Sequence, residues 1–212
     1  MKKTKEKVNL YELDNQYYSQ GYKTIGGIDE VGRGCWAGPL VVGLVIFPRE
    51  YINNEINDSK KLSKLKRDKL YEEIKQNAIV ADTIFISSSQ VDLENNIKTS
   101  TKNAMMILAD KYKNRADAFL IDGEKLVSKD IKYDTYIKGD SKSMCIAAAS
   151  IIAKVERDRY MEQLAKDYPQ YGFDKHKGYG TELHKNAIIK HGTIANQHRF
   201  SYEPIKNLSK KK

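Results

Sequence analysis

Two carboxylates stand side by side in the stretch GGIDEVGRGCWAGP (26–39): Asp29 and Glu30, followed at once by Gly32-Arg33-Gly34. A third acid, Asp122, closes the apolar run LIDG, and a fourth, Asp140, follows IKG. Taken singly, Asp122 before a glycine reads as a turn residue, and Asp140 before a helix reads as a cap favoured by the helix dipole. Asp29 and Glu30 resist such readings, because a charged pair ending an apolar strand beside a glycine turn is uncommon. If folding gathers the four, they cannot all stay ionised unless something offsets their repulsion. Mg²⁺ suits that task, being hard, oxygen-seeking and commonly held by a few carboxylates plus a substrate phosphate. A pair of such ions ~3.5–4 Å apart activates a water and stabilises the leaving oxygen of a phosphodiester. The residue types therefore point to metal-dependent phosphoryl transfer. The glycines of the turn let backbone amides approach a sugar or phosphate closely.

Strands and helices must bring these acids together. TIGGIDEV (24–31) and GPLVVGLVIF (38–47) read as two strands joined through the Gly-Arg-Gly turn, and 79–87 as a third. ADAFLIDG (116–123) reads as a short buried strand and TYIKGD (135–140) as a fifth. Apolar spacing predicts helices over 62–77, with Ser59 or Ser63 as cap, over 94–113, over 141–168 with an alanine-rich first half, and over 180–191. Hairpin-joined strands followed by helix crossovers make a mixed sheet with helices on its faces. If the first, fourth and fifth strands run parallel as neighbours, the acidic strand ends meet at one edge.

Composition narrows the field further. At 212 residues one domain is the default, expected over 21–205 between a polar extension (1–20) and a basic tail (206–212). Four lysines against one glutamate in 1–7 and four lysines in 206–212 leave only +2 of the +9 net charge for the body. The charge thus says little about partners. The cluster at 60–69, six basic residues against Asp68, fits either a phosphate contact or a solvated helix face. Cys35 and Cys145 lack metal-ligand spacing and read as reduced cytosolic thiols. The basic start lacks the apolar core of a secretory signal, and the most apolar runs are too short to cross a bilayer, so the expected setting is the cytoplasm without membrane attachment. Among the histidines, His184 and His191 on one helix stand ~10.5 Å apart along its axis, too far to share a zinc ion. Lys154, Arg157 and Arg159 read as a solvated charged face of the long helix.

In their joint order, GIDEVGRGCWAGP, DSKKLS, LIDG, IKGDSKSMCIAAASIIAKVERDRYM, YPQYGFDKHKGYGT and Gln197-His198-Arg199 resemble bacterial ribonuclease HII, the type 2 ribonuclease H family. The resemblance runs through nearly the whole chain. It implies a ribonuclease H-like α/β fold: a five-stranded mixed sheet flanked by helices, with a helical C-terminal region. It also implies cleavage of the RNA strand in RNA–DNA hybrids and incision 5′ to single ribonucleotides in duplex DNA, leaving 5′-phosphate and 3′-hydroxyl ends. By the same resemblance Asp29, Glu30, Asp122 and Asp140 are the catalytic ligands of two Mg²⁺ or Mn²⁺ ions. Gly32, Arg33 and Gly34 would contact the 2′-hydroxyl, Tyr179 would pack on the following deoxyribose, and Lys60 and Asn96 would touch the nucleic-acid backbone. Cys35-Trp36 departs from the Pro-Leu often found there in the family, which should alter packing beside the site without removing a ligand. Monomer is the default assembly.

Other readings differ in what they need. A DNA-only nuclease of the same acidic type leaves the Gly-Arg-Gly turn and KGYGT without a task. A non-catalytic nucleic-acid-binding module leaves four carboxylates at strand ends unexplained. A small-molecule phosphotransferase lacks its phosphate loop, since no GxxxxGK[ST] occurs in the chain.

Overall fold

Strand β1 (Ile25–Val31) is almost wholly buried, and the other elements are arranged by what its two faces require. The computed structural model describes residues 9–209 apart from 124, 127 and 129. In it β2 (Leu40–Ile46) runs antiparallel to β1, and β3 (Val80–Ile86) antiparallel to β2. On the other side β4 (Ala118–Asp122) lies parallel to β1, and β5 (Tyr133–Tyr136) parallel to β4. The five-stranded order is β3-β2-β1-β4-β5. This is the mixed sheet expected, with the first, fourth and fifth strands as parallel neighbours.

The helices, in chain order, are α1 (Tyr11–Ser19), α2 (Lys64–Asn77), α3 (Ser88–Glu94), α4 (Ile97–Lys111) and α5 (Met144–Asp167), then α6 (Phe173–His176), α7 (Glu182–His191) and α8 (Glu203–Ser209). Successive side chains of a strand point to opposite faces. Ile25 accordingly joins a core with Tyr17, Leu70, Ile74 and Ala148, from α1, α2 and α5. Ile28 joins the opposite core with Ala104, Met105 and Leu108 of α4. The alanine-rich half of α5 lies directly on the two central strands. A Cβ on Gly27 would stand 2.1 Å from the Cys145 carbonyl carbon, and one on Gly43 2.4 Å from the Ala149 oxygen. Glycine on the strands and alanine on the helix together permit that approach. A third core, with Met161, Phe173, Ile188 and Ile205, gathers the C-terminal helices. Both cysteines are buried and free. Among the described residues no helix is long and apolar enough to cross a membrane.

The structure departs from the sequence reading in several places. Residues 11–19, within the segment read as a polar start, form a helix whose Asp14, Tyr17 and Tyr18 are buried. The span read as one helix over 94–113 begins only at Ile97. Asn95 takes a left-handed conformation (φ 49°) and separates α3 from α4. The fifth strand covers Tyr133–Tyr136, and Gly139–Ser141 form a single turn of 3-10 helix after it. Asp140 does not cap α5; the Ser143 side chain does, accepting from the Ile146 N–H at 3.2 Å.

Candidate active site

Adjacent in sequence, Asp29 and Glu30 serve different sides of the sheet. Asp29, 4% exposed, lies on the α5 side near Ser150. Its Oδ1 accepts the Glu30 N–H at 2.7 Å. Glu30 borders a small pocket on the α4 side with Lys98, Lys102 and Asp122. The register that pairs Ile28 with Ile121 puts Asp29 and Asp122 at the C-terminal ends of neighbouring parallel strands. Asp122 Oδ1 accepts the Gly139 N–H at 2.7 Å, tying the end of β4 to the turn that carries buried Asp140. Lys60, from the 3-10 turn Ser59–Lys61, places its Nζ 3.7 Å from the Asp140 carboxylate.

The electrostatics show an excess of negative charge in a poorly solvated place. Burial pushes Asp29 well above the usual carboxylate range, and the charges of Glu30 and Asp122 add to it. Burial raises Glu30 to about 7, with Arg33 opposing and Asp122 reinforcing. Asp140 is raised by burial and by Asp58, with Lys60 opposing and Asp122 adding. Asp122 is thus a neighbour whose charge the other three all feel. Lys60 loses some basicity to burial, but Asp140, Asp29, Asp58 and Asp122 together lift it above its ordinary value. Asp58 is an acid that the sequence reading did not single out. It caps the Lys60 turn, its Oδ1 accepting the Lys60 N–H at 2.9 Å, and adds one more charge beside Asp140.

This donor set fits a hard cation: every group offers carboxylate oxygen, and Asp29, Glu30 and Asp140 each feel a neighbouring carboxylate's charge. The carboxylates are not drawn into a closed cage, and among the described residues no three His, Cys, Asp or Glu side chains form a ready metal cluster. Like charges spread apart, and here Gly139 N–H, Lys60 and Arg33 each engage one of them.

The Gly-Arg-Gly turn is clamped from the far end of the chain. Gly32 has φ +93°, and a Cβ there would meet Arg157 Nε at 2.3 Å, whereas Gly34 has open space around it. The Arg33 guanidinium lies 3.7 Å from the Glu30 carboxylate, and its carbonyl accepts Arg199 Nη1–H at 3.0 Å and the Tyr202 hydroxyl. Arg199 also donates twice to Gly38 O, at 2.9 and 3.2 Å. Arg157 donates to the carbonyls of Pro39, Lys177 and Ala37 at 2.9, 2.9 and 3.2 Å. Both arginines are fully buried. The reading of Arg157 as part of a solvated face is therefore wrong. Its spacing held the signal: Ala153, Arg157 and Met161 follow one another at four-residue intervals on the buried stripe of α5.

Glu30, Gly32, Arg33, Lys60 and Tyr179 line one cleft of about 200 Å³. Tyr179 is 41% exposed there, and burial of the rest of the ring beside Cys35 pushes its hydroxyl up to about 12. Asn96 stands apart from this cleft. Its side-chain oxygen caps α4, accepting the Lys98 and Thr99 N–H groups. Trp36, the departure noted in the sequence, packs against Gly180, where a Cβ would stand 2.2 Å from its ring, and lies 5.7 Å from the His184 ring.

Comparison with known proteins agrees with this architecture. Residues 26–205 match the sequence profile of the family described as Ribonuclease HII. Ribonuclease HII of Bacillus cytotoxicus is 44% identical across 100% of this chain and 81% of that protein. Ribonuclease HII of Endomicrobium trichonymphae is 43% identical, covering 94% of this chain and 95% of its own. Among solved structures, the PCNA:RNase HII complex from Archaeoglobus fulgidus superposes with a TM-score of 0.70 at 27% identity, over 85% of this chain and 95% of that one. The chain belongs to the ribonuclease HII family and is a ribonuclease H hydrolase.

Proposed function

We propose that this enzyme cleaves the RNA strand of RNA–DNA hybrids and incises 5′ to single ribonucleotides embedded in duplex DNA. The observation that carries this reading is the convergence of Asp29, Glu30, Asp122 and Asp140 at one sheet edge, with the basicity of Asp29, Glu30 and Asp140 raised by burial and by mutual charge. These four side chains would hold divalent cations, two Mg²⁺ or Mn²⁺ ions at the full complement. Such ions would supply an activated water and offset charge on the leaving oxygen. Breaking the phosphorus–O3′ bond leaves a 3′-hydroxyl upstream and a 5′-phosphate on the ribonucleotide.

The rest of the cleft reads the sugar. A 2′-hydroxyl both donates and accepts, so it is recognised by backbone groups brought close. Gly32, Arg33 and Gly34 provide that approach, on a turn that Arg157 and Arg199 hold rigid. Tyr179 packs on the neighbouring deoxyribose and Lys60 contacts the nucleic-acid backbone in the cleft, while Asn96, at the start of α4 and outside the cleft, contacts the backbone beyond it. The enzyme acts as a monomer.

The test is cleavage of a labelled DNA duplex carrying one ribonucleotide, with Mg²⁺, Mn²⁺ or EDTA, beside an all-DNA control. Metal-dependent incision only at the 5′ side of the ribonucleotide is the expected result. Asp122→Asn should reduce it to background while duplex binding survives. Equal cleavage of the all-DNA control would overturn the sugar reading. Wild-type rates for Asp122→Asn at saturating Mg²⁺ would remove Asp122 from the site.

A further inference from the structure

Behind Tyr179 lie three imidazoles drawn from three segments: His176 on α6, His184 on α7 and His198 ahead of α8. All are buried. Their hydrogen bonds admit one proton arrangement. The Ile194 N–H donates to His198 Nδ1 at 2.8 Å, so that nitrogen carries a lone pair and the proton sits on Nε2. His198 Nε2 faces His184 Nε2 at 3.1 Å and must donate to it. The proton of His184 is therefore on Nδ1, which donates to the Tyr179 carbonyl at 3.0 Å. A backbone N–H begins this chain and a backbone carbonyl ends it, and neither can reverse its role. His176 is fixed in the same way. It accepts the Gly178 N–H at Nδ1 (3.1 Å), donates from Nε2 to Tyr171 O (2.8 Å), and stacks on His184 with centroids 4.4 Å apart.

Every ring nitrogen of the three is thus engaged, which leaves none to ligate a metal. Burial holds the cluster neutral, lowering His184 to about 3 and His198 to about 4. Tyr179 itself sits between Gly178 and Gly180, outside any helix or strand. The further backbone ties of that residue are to His176 O and the Thr181 N–H, both at 2.9 Å. These ties add to the hold on Gly178, whose carbonyl accepts the Trp36 and Ala37 N–H groups at 2.8 and 3.3 Å, and to the Arg157 guanidinium 5.9 Å from the Tyr179 ring.

We propose that His184 and His198 are positioning residues for Tyr179. Their ordered tautomers hold the Tyr179 carbonyl, aim its ring along the cleft, and so set the preference for a single ribonucleotide over a continuous hybrid. The specificity half rests on the role given to Tyr179 above; the relay itself does not.

Two substitutions at one position separate the outcomes. Asn at 184 can place an amide N–H where Nδ1–H stands, whereas Gln mimics the Nε2 side and removes the imidazole donor from the Tyr179 carbonyl, leaving the Thr181 N–H. The ratio of kcat/KM on the single-ribonucleotide duplex to that on a continuous hybrid should fall roughly five- to tenfold in His184→Gln, as expected for loss of one hydrogen bond. kcat on the hybrid should hold, and His184→Asn should keep the wild-type ratio. Equal losses on both substrates in both variants would overturn the proposal and reduce the relay to fold stability. Tyr179→Ala is the control. If it keeps the wild-type ratio, the sugar reading and the specificity half fall together. The relay has its own readout in the imidazole ¹⁵N spectrum of the unmodified enzyme, which needs no variant to fold. His184 should appear as the Nδ1–H tautomer and His198 as Nε2–H at neutral pH. Reversed tautomers, or an imidazolium at either position, would overturn it.

Discussion

The ammonium of Lys60 lies 3.7 Å from the Asp140 carboxylate and feels the charges of Asp29, Asp58 and Asp122 as well. It is a resident cation at the mouth of an acidic site. A divalent ion entering there meets like charge from this side chain, while a phosphate entering meets attraction. Lys60→Met should therefore tighten Mn²⁺ binding and raise KM for duplex together. Because the side chain is mostly solvated, each effect should be about two- to fivefold. Calorimetric titration with Mn²⁺ and KM at low salt check it; no change in either would make Lys60 a bystander.

Asp14 gives the stability of the fold a pH dependence. Its carboxylate caps the start of α5 from another helix, Oδ2 accepting the Cys145 N–H at 3.0 Å, while its buried Oδ1 has no hydrogen-bond partner among the described residues. Burial raises it from 3.8 to about 6. The folded state then holds the proton more tightly than the unfolded chain, so this contribution is full below pH 3.8 and is lost as pH rises through about 6. Asp14→Asn cannot titrate. It should gain on the wild type between about pH 4 and 6 and stay ahead at pH 7 by roughly 1–3 kcal/mol. Urea midpoints of both proteins across that range decide it, and a difference independent of pH would remove Asp14 as the source.

Arg157→Met would remove the donor from the carbonyls of Ala37 and Pro39, in buried bonds, and of Lys177, in a part-buried one. The expected loss is about 3–5 kcal/mol in urea unfolding, the scale for breaking a buried charged network. Arg157→Lys should recover little, since one ammonium cannot reproduce a fork that reaches Ala37, Pro39 and Lys177. Full stability in the lysine variant would show that charge, and not the fork, matters.

Two glycines of the same region should behave oppositely on change to alanine. Gly27→Ala drives a methyl into the Cys145 backbone, lifting α5 from the sheet, and should cost stability and activity alike. Gly34→Ala meets nothing within 4 Å and should fold normally, within roughly 0.5 kcal/mol of the wild type. Its loss should appear only against substrate, as a KM raised at least tenfold if a sugar approaches that backbone closely. Unchanged kinetics in Gly34→Ala would move the approach elsewhere on the turn.

The sheet and its acidic edge were legible because strand periodicity and residue type agree there: Ile28-Asp29-Glu30 ends one apolar run and Ile121-Asp122 another. What escaped was written in residues whose types mislead. Helix α1 presents Tyr17, Tyr18 and Asp14 inward, and neither tyrosine nor aspartate announces a core. The turn holding Asp140 depends on Lys138 at φ 57° and on the Asp122–Gly139 bond, a long-range closure that local pattern does not encode. Along α7 alone, His184 has no metal-binding partner at useful spacing. Its real neighbours, His176 and His198, come from other segments. Arg157 was readable from its four-residue spacing, but its charge argued for solvent.

The two buried arginines also bear on the order in which the cleft is assembled. Arg157 reaches back 118 positions to Pro39, and Arg199 reaches back 166 to Arg33. A nascent chain that has just released Asp140 carries all four clustered carboxylates, yet the turn at 32–34 still lacks its arginine clamps. Contacts of such separation form late and set the pace of folding. The turn is therefore held only once nearly the last of the domain has emerged, a delay written into the order of its residues.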